Sequence, residues 1–297
     1  MHNYLEAGIT ALANTKLKYN YPWFFAHAGA AVLSGAFMLQ SSTLSASTQR
    51  AIASSLDRMI NSDPELYVPA AENDARVEKD DLLQALQQCT LTHSTTGHGV
   101  IFGTLALKAA LLEPALFTQS VSRGLVQLLE DCLIDVPNRH LGIENYRSSS
   151  VDYSGAKTFN STREAANYSL SVHTRVYPDQ SIDDTFYFLA GNLLHCVTYA
   201  HALLELDNLG YSKLANSGLD VLAQHMFLSA REHPALHTFS ASAVLNPEDE
   251  SFWERKVNEP HQLKLAYSAL AIAASYTTEE KKTVFKDLSK YWEMFSR

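Results

Sequence analysis

The sequence has only three cysteines among its 297 residues, Cys89, Cys132 and Cys196, and no CxxC pair. An odd number of widely spaced cysteines indicates neither a disulfide framework nor a thiolate zinc site. No basic region followed by a long apolar run opens the chain, so the N-terminus does not resemble a secretory signal. We therefore expect a protein of a reducing compartment and assign it to the cytoplasm.

Positive charge is also scarce. The chain has 23 basic and 32 acidic residues and a formal net charge of -9, and its Lys and Arg residues do not cluster. Binding to phosphate backbones requires such clusters, so we expect no nucleic-acid partner. The longest uncharged apolar stretch, around residues 26–39, is too short and too rich in small residues to span a bilayer. We expect no membrane partner either.

Strict apolar–polar alternation, which is typical of half-buried strands, is rare. Apolar residues recur instead at i, i+3, i+4 and i+7, and this pattern predicts an all-α fold. Ser45 is a candidate N-cap, and Asp80 is suited to the first turn of another helix. Pro114 is placed for the first turn of a helix reaching residue 133, and Thr277 with Glu280 fits a capping box.

Four stretches of the chain resemble one another. Each begins with a helix that carries a histidine and is rich in small residues. A short turn follows, and then a second helix that is amphipathic. The stretches are residues 26–60, 97–133, 194–226 and 260–295. We predict a ring or curved solenoid of four α/α hairpin units, forming a single domain over residues 1–297. Residues 136–184 are polar and lack a sustained period, so we interpret them as an irregular insertion or lid.

Histidine is frequent, with twelve in the chain. Four of them, His27, His98, His195 and His261, stand near the start of a first helix of each repeat. If these helices pack with the same polarity, the four imidazoles meet at one end and can bind a metal. The alternative is that each histidine hydrogen-bonds to backbone or water at the start of its helix.

Lys264 follows His261 by three residues, so both lie on roughly one helix face. A protonated lysine repels a cation, but a lysine carbamylated by carbon dioxide is a carboxylate and can bind one. Four imidazoles and one such oxygen suit iron(II), although zinc, copper and nickel also accept imidazole. The alternative is a solvated lysine on the helix surface.

Aromatic residues precede two of these histidines. Phe24 and Phe25 come just before His27, and residues 186–188 come before His195. They can line a cavity for a flat aromatic substrate or belong to the core. His201 and Tyr199 are the nearest candidates for proton transfer or substrate orientation. The histidines that we assign to the surface are His140, His173, His225, His233 and His237.

Several motifs resemble the questin oxidase-like family. In residues 183–206, DDTFYFLAGNLLHCVTYAHALLEL, an acidic and aromatic run leads to L-L-H-x-V-T and then to H-A-L. In residues 252–270, FWERKVNEPHQLKLAYSAL, a Trp is followed by Glu259, His261 and Lys264. GHGVIFGTLAL and FFAHAGAAVL are similar to two further histidine helices of the family.

The resemblance implies an oxidoreductase that carries out ring-cleaving or Baeyer–Villiger-like oxidation of anthraquinone-type polyketides. By position, it implies a metal set of His27, His98, His195 and His261, with Lys264 as a carbamylated fifth ligand. We predict a non-haem iron(II) oxygenase that uses dioxygen on an aromatic, quinone-like small molecule; a need for NADPH as external reductant stays open. The alternatives are a zinc-dependent hydrolase or lyase and a metal-free helical-repeat binding protein.

Overall fold

The computed structural model describes residues 2–18, 22–69, 79–93, 96–133, 150–171, 180–182, 185–187, 189–230, 241–255 and 259–294. In these ranges the protein is helical apart from one short β-hairpin, which confirms the all-α class. The helices are α1 (His2–Lys18), α2 (Pro22–Met38), α3 (Ala46–Ser62), α4 (Lys79–Leu91), α5 (His98–Leu112), α6 (Gln119–Leu133), α7 (Thr162–Ser169), α8 (Leu189–Asn208), α9 (Ser212–Ser217), α10 (Leu219–Ser229), α11 (Glu250–Glu254), α12 (Pro260–Ile272) and α13 (Thr278–Met294). The hairpin pairs β1 (Gln180–Ile182) with β2 (Thr185–Tyr187) in antiparallel register.

Helices α2, α5, α8 and α12 form the centre of the molecule. Helix α2 packs against α5 and α12, and α8 packs against the same two helices, so the four close a ring. These are the small-residue helices of the repeats, and small side chains allow their backbones to approach closely. On α5 nearly every residue between His98 and Ala110 is buried, as expected for a helix enclosed on all sides.

The four inner helices run in the same direction. Each contributes a histidine near its N-terminal end, and polar residues later in each helix meet in a second layer. These later residues, which line one cavity, are Ser34, Thr104, His201 and Ser268. Because the helices are parallel, the positive ends of their dipoles lie at the end of the ring that carries the four histidines.

The other helices surround this ring. Helix α1 packs on α2 and α6, α4 packs on α5 and α6, and α7, α9 and α10 pack on α8. The α1–α2 crossing is unusually close because Gly29 has no side chain. A Cβ at that position would lie 2.8 Å from both the Gly8 carbonyl oxygen and the Leu12 amide nitrogen, so only glycine fits there.

Two of the predicted helix starts are confirmed by their hydrogen bonds. The Ser45 hydroxyl accepts the Thr48 backbone N–H at 3.1 Å and caps α3. Before α13, the Thr277 N–H donates to Glu280 at 2.8 Å, and the Glu280 N–H donates to the Thr277 hydroxyl at 3.4 Å. This reciprocal pair is a capping box.

The helix predicted to begin at Pro114 begins later. Pro114 opens a 3-10 turn, Pro114–Leu116, and α6 starts at Gln119. The difference has a local cause, since the Thr118 hydroxyl accepts the Val121 N–H and its carbonyl accepts the Ser122 N–H. Thr118 therefore acts as the N-cap in place of the proline turn.

The predicted insertion at residues 136–184 is described only in part. Residues 150–171 contain α7, which the Thr162 hydroxyl links to the Asp207 carboxylate of α8 at 2.8 Å. Residues 134–149 and 172–179 lie outside the described residues, as do His140, His173, His233 and His237. The lid prediction falls largely on these segments.

Neither a membrane helix nor a disulfide is found among the residues that the structure describes. No helix there combines the length and the apolar character needed to cross a membrane. Cys89, Cys132 and Cys196 are buried thiols that form no disulfide.

Candidate metal centre

The structure brings together the four histidines that the repeats single out. The ring centroid of His27 lies 4.7 Å from that of His98 and 4.4 Å from that of His261. His195 completes the group, with its centroid 4.7 Å from that of His98 and 5.1 Å from that of His261. We call these four residues the histidine cluster.

Three members have ring nitrogens placed as a set of metal ligands. His27, His98 and His195 are buried, and each offers one nitrogen within 4.8 Å of the other two. Two nitrogens bound to one ion at about 2.1 Å are at most about 4.2 Å apart. The bound of 4.8 Å exceeds that separation, so binding one ion would draw the three rings closer together.

Hydrogen bonds on Nδ1 fix the orientation of three rings. The partners are the Phe24 carbonyl oxygen for His27 at 2.9 Å, the Thr96 hydroxyl for His98 at 2.7 Å and the Glu259 carboxylate for His261 at 2.7 Å. Metal-binding histidines usually engage their second nitrogen in this way. An Nδ1–H that donates to a carbonyl or a carboxylate places the ring's lone pair on Nε2, which is the atom that a metal binds.

The local sequence explains how two of the rings reach the cluster. Gly97, immediately before His98, has a φ of 71°, and a Cβ there would lie 2.4 Å from the Tyr199 ring. Glycine therefore permits both the turn into α5 and the contact with Tyr199. On α12, Glu259 is the N-cap and Pro260 the first helical residue, so His261 lies in the first turn.

The surroundings favour the neutral form of two members of the cluster, His195 and His261. Burial lowers the pKa of His195 well below its usual range, and the nearby Lys264 and other imidazoles lower it further. Burial and Lys264 also lower the pKa of His261, although the Glu259 carboxylate opposes them. Neutral imidazole is the form that binds metals, so the surroundings favour the ligand state.

Lys264 is buried beside the cluster. Its side chain is 1% exposed, and its Nζ lies 3.5 Å from His195 Nε2. The interpretation of Lys264 as a solvated surface lysine is therefore wrong, because this face of α12 is turned toward the other inner helices. Burial lowers the pKa of Lys264 to about 7, with the Glu259 carboxylate acting in the opposite direction. A substantial fraction is then the neutral amine, which is the form that carbon dioxide carbamylates.

A small cavity lies between the inner helices, on the C-terminal side of the cluster. Lys264 lines it together with Thr104, His201 and Ser268, and its volume of about 10 Å³ is enough for about one water molecule. The His201 Nδ1 is 3.0 Å from the Ser268 hydroxyl, and its Nε2 is 3.6 Å from a Glu205 carboxylate oxygen. His201 thus faces the cavity and not the histidine cluster.

Beyond the cavity lies a group of compensated charges that we call the charged layer, formed by Lys108, His201, Glu205 and Tyr267. The Lys108 Nζ is 2.9 Å from Glu205 Oε1 and donates to the Tyr267 hydroxyl at 2.8 Å. Burial opposes ionisation of Glu205, but its bonds to His201 and Lys108 outweigh that effect and lower its pKa to about 2.

Sequence reasoning missed the charged layer, although a signal exists. Lys108 is the only charged residue of α5, and Glu205 follows His201 by four residues on α8. A lone lysine in an apolar helix and a His–Glu pair at i,i+4 together indicate a buried ion pair. Glu205 lies at the inner face of α8, as its place on the cavity shows.

Tyr199 lies one turn after His195 but faces a different neighbour. Its ring packs against Gly97, and it does not line the cavity that His201 faces. The hydroxyl is buried with no hydrogen-bond partner in the described part of the chain, and burial raises its pKa. The roles predicted for Tyr199 and His201 stay predictions.

The structure corrects one surface assignment. His225 is 1% exposed, because α10 packs against α8 and turns this face inward. The assignment of His225 to the surface is therefore wrong. Its place near the end of a helix misled the sequence interpretation, because burial there depends on how α10 packs on other segments.

Two of the aromatic residues predicted to line a substrate cavity lie next to the cluster. Phe24 and Phe25 are exposed, and their rings form an edge-to-face pair with centroids 5.6 Å apart. The Phe24 ring centroid is 6.2 Å from that of His27. The side chains of residues 23 and 186–188 lie outside the described residues.

Comparisons with known proteins add no relative. The chain matches no protein-family model, no curated protein and no solved structure. The motif resemblance to the questin oxidase-like family therefore stays a prediction. Any proposal about activity must rest on the geometry and chemistry of the residues themselves.

Proposed function

We propose that the protein is a non-haem iron-dependent oxygenase that acts on an aromatic, polyketide- or quinone-like small molecule. The proposal is supported chiefly by the meeting of four imidazoles from four parallel helices. Three of these imidazoles are buried, and each has a ring nitrogen within 4.8 Å of a nitrogen of the other two. A convergent set of imidazoles from several helices is how helical proteins hold a metal ion in their core.

The donor set fits iron(II). His27, His98, His195 and His261 would hold the ion through imidazole nitrogens, a ligand type that suits iron, zinc, copper and nickel. When bound there, iron(II) supplies the activation of dioxygen. The surrounding inner helices exclude bulk water from the cluster, because nearly all of their facing side chains are buried.

Lys264 is our proposed fifth ligand, as a carbamate. An ammonium 3.5 Å from the ring of His195 would repel the ion, whereas a carbamate would bring a negative charge and an oxygen ligand. The burial that lowers the pKa of Lys264 to about 7 supports this assignment, since it makes the amine reactive. A lysine that stays uncharged and unmodified would leave four nitrogen ligands.

The substrate class follows from the surroundings of His27. The exposed aromatic pair Phe24–Phe25 lies at the histidine end of the ring, where a flat ring can stack on it. Oxidative ring cleavage and Baeyer–Villiger-type oxygen insertion both suit such a substrate. We propose no nucleic-acid or membrane partner. Oxygen-consumption assays with and without NADPH test whether an external reductant is needed.

His201 and Tyr199 keep distinct proposed roles. His201 lines the cavity that Lys264 also lines, so we propose it for proton transfer. Tyr199, one turn after His195, has a buried hydroxyl, and we propose it for substrate orientation. The finer architecture is also part of the proposal: α2–α3, α5–α6, α8 with α9–α10, and α12–α13 form four hairpin units of one ring.

The decisive experiment is metal analysis of protein purified without oxygen, followed by oxygen-consumption assays with aromatic substrates. We expect about one iron per chain and oxygen uptake that depends on that iron. Protein that takes up only zinc and hydrolyses or eliminates its substrate without consuming oxygen would support the zinc hydrolase or lyase. Protein with no metal, and with the same melting behaviour in every histidine variant, would support the metal-free binding protein.

A further inference from the structure

Glu259 holds two groups of the same histidine. Its Oε2 accepts the backbone N–H of His261 at 2.7 Å, and its Oε1 accepts the ring Nδ1–H of His261 at 2.7 Å. The first bond caps α12, and the second fixes the imidazole ring. One carboxylate therefore sets both where α12 begins and how the His261 ring is turned.

The bond from Glu259 differs in kind from those on the other rings. His27 has a backbone carbonyl as its Nδ1 partner, and His98 has the Thr96 hydroxyl. Hydrogen bonds to an ionised group are roughly twice as strong as neutral ones. A carboxylate on Nδ1–H also raises the basicity of the opposite ring nitrogen, so it strengthens the ring as a ligand.

Glu259 also supplies negative charge where the cluster has little. Both of its oxygens lie 2.7 Å from nitrogens of His261, which places the carboxylate directly behind this ring. A cation bound in the cluster would be attracted to the carboxylate.

We propose that Glu259 is a positioning residue of the metal centre, one that holds His261 in the Nδ1–H tautomer and makes it the strongest donor of the four imidazoles. The inference rests on the proposed metal centre, but its effect on the His261 ring is a property of the metal-free protein. It concerns any divalent cation that accepts imidazole.

The test compares two variants, each of which alters the side chain that hydrogen-bonds to one of the ligand histidines. The partner is a carboxylate at His261 and a hydroxyl at His98. Glu259→Gln keeps the size of the side chain and an oxygen that can accept the His261 N–H, but it removes the charge. Thr96→Val removes the neutral hydroxyl beside His98 and is the matched control. With cobalt(II) as the probe, we expect Glu259→Gln to raise the dissociation constant about 10–100-fold, and Thr96→Val to raise it less.

A second readout separates positioning from mere helix stability. In ¹⁵N NMR of the metal-free wild-type protein, His261 should carry its proton on Nδ1, and in Glu259→Gln the two tautomers should mix. Loss of the cap alone would lower the melting temperature without moving these shifts. If Glu259→Gln fails to fold, an Nε2–H tautomer in the wild-type protein would still overturn the inference.

The two proposals can fail separately. Equal cobalt affinity and unchanged His261 shifts in Glu259→Gln would overturn the role of Glu259 and leave the metal centre intact. Wild-type protein that binds no cobalt or iron would overturn the metal centre. The tautomer of His261 in that protein would then decide by itself whether Glu259 holds the ring.

Discussion

The inner helices carry two polar regions, the charged layer and the histidine cluster, which differ in how basic groups are paired. In the charged layer, the Glu205 carboxylate lies between Lys108 and His201, so positive groups face an anion. Beside the histidine cluster, the Lys264 amine lies 3.5 Å from another basic nitrogen, that of His195, and the nearby Glu259 carboxylate is bonded to His261. The charged layer pairs opposite charges directly, whereas the histidine cluster gathers neutral basic nitrogens, which is the arrangement that a metal ion requires.

This difference is a guide to function. Both regions have strongly shifted pKa values, and shifted pKa values alone do not separate a structural ion pair from an active site. The cause of the shift at Glu205 does separate it from the cluster. The pKa of Glu205 falls because its partners favour its charged form, whereas those of His195 and Lys264 fall because burial disfavours theirs. Burial also lowers the pKa of His201, so the distinction between the regions depends on the anion Glu205.

The largest expected effect is the loss of metal from the histidine cluster. His195→Ala removes the ring between His98 and His261, so iron content should fall from about one per chain to near zero. Elemental analysis after anaerobic purification measures it. His201→Ala is the matched control, because His201 is also buried on α8 but bonds Ser268 and should leave the iron in place. Equal iron loss in both variants would remove the distinction between the two regions.

The next effect is on stability and belongs to the charged layer. Glu205→Ala leaves Lys108 and His201 without their shared anion, so the free energy of unfolding should fall by about 3 kcal/mol, the lower end of the range for buried pairs, because Lys108 and Glu205 are partly exposed. Urea unfolding followed by circular dichroism measures the change. Glu164→Ala, which breaks a more exposed pair with Lys157, should lower the free energy of unfolding much less. Similar losses in the two variants would contradict the assignment of Glu205 as a buried anchor.

The sequence predicts much of what positions the candidate site. Apolar residues at helical spacing identify the all-α class, and local side-chain chemistry identifies caps such as Ser45 and Thr277. The common histidine in four similar helices predicts that the imidazoles meet, and their rings lie within 5.7 Å of one another in every measured pair. Repetition made this prediction feasible, because equivalent helices pack in equivalent ways.

What sequence reasoning could not settle depends on contacts between distant segments. Helical spacing places Lys264 on the face of His261, but only the packing of α12 against α2 and α8 decides that the amine is buried. The same holds for His225, which contact between α10 and α8 buries. The pairing of Lys108 with Glu205 joins residues of two helices, and no local pattern fixes which lysine meets which acid.

A substitution of Lys264 is expected to raise the free energy of unfolding, whereas the loss of Glu205 lowers it. Lys264→Met should stabilise the metal-free protein at pH 7 by about 1–4 kcal/mol, since a hydrophobic side chain of similar size replaces a buried amine. Between pH 7 and 9, the unfolded wild-type chain carries a proton on Lys264 that the folded chain tends to release, because the folded pKa is about 7. Wild-type stability should therefore rise with pH across this window.

Urea unfolding in carbon-dioxide-free buffer at several pH values measures both effects, and the rise should be weaker in Lys264→Met. The exposed Lys157→Met is the control and should change neither the stability nor its pH dependence appreciably. A destabilised Lys264→Met protein would mean that the amine is compensated in the fold. The contrast with the charged layer would then be lost.

The smallest effect is expected at Ser268, which lines the cavity between Lys264 and the charged layer. Its hydroxyl lies 3.0 Å from His201 Nδ1, and Ser268→Ala removes this bond without touching a charge. The free energy of unfolding should fall by about 1 kcal/mol, with iron content unchanged. Urea unfolding and elemental analysis on one preparation test both. Iron loss in Ser268→Ala would show that the charged layer supports the metal centre through His201, and that the two regions act as one.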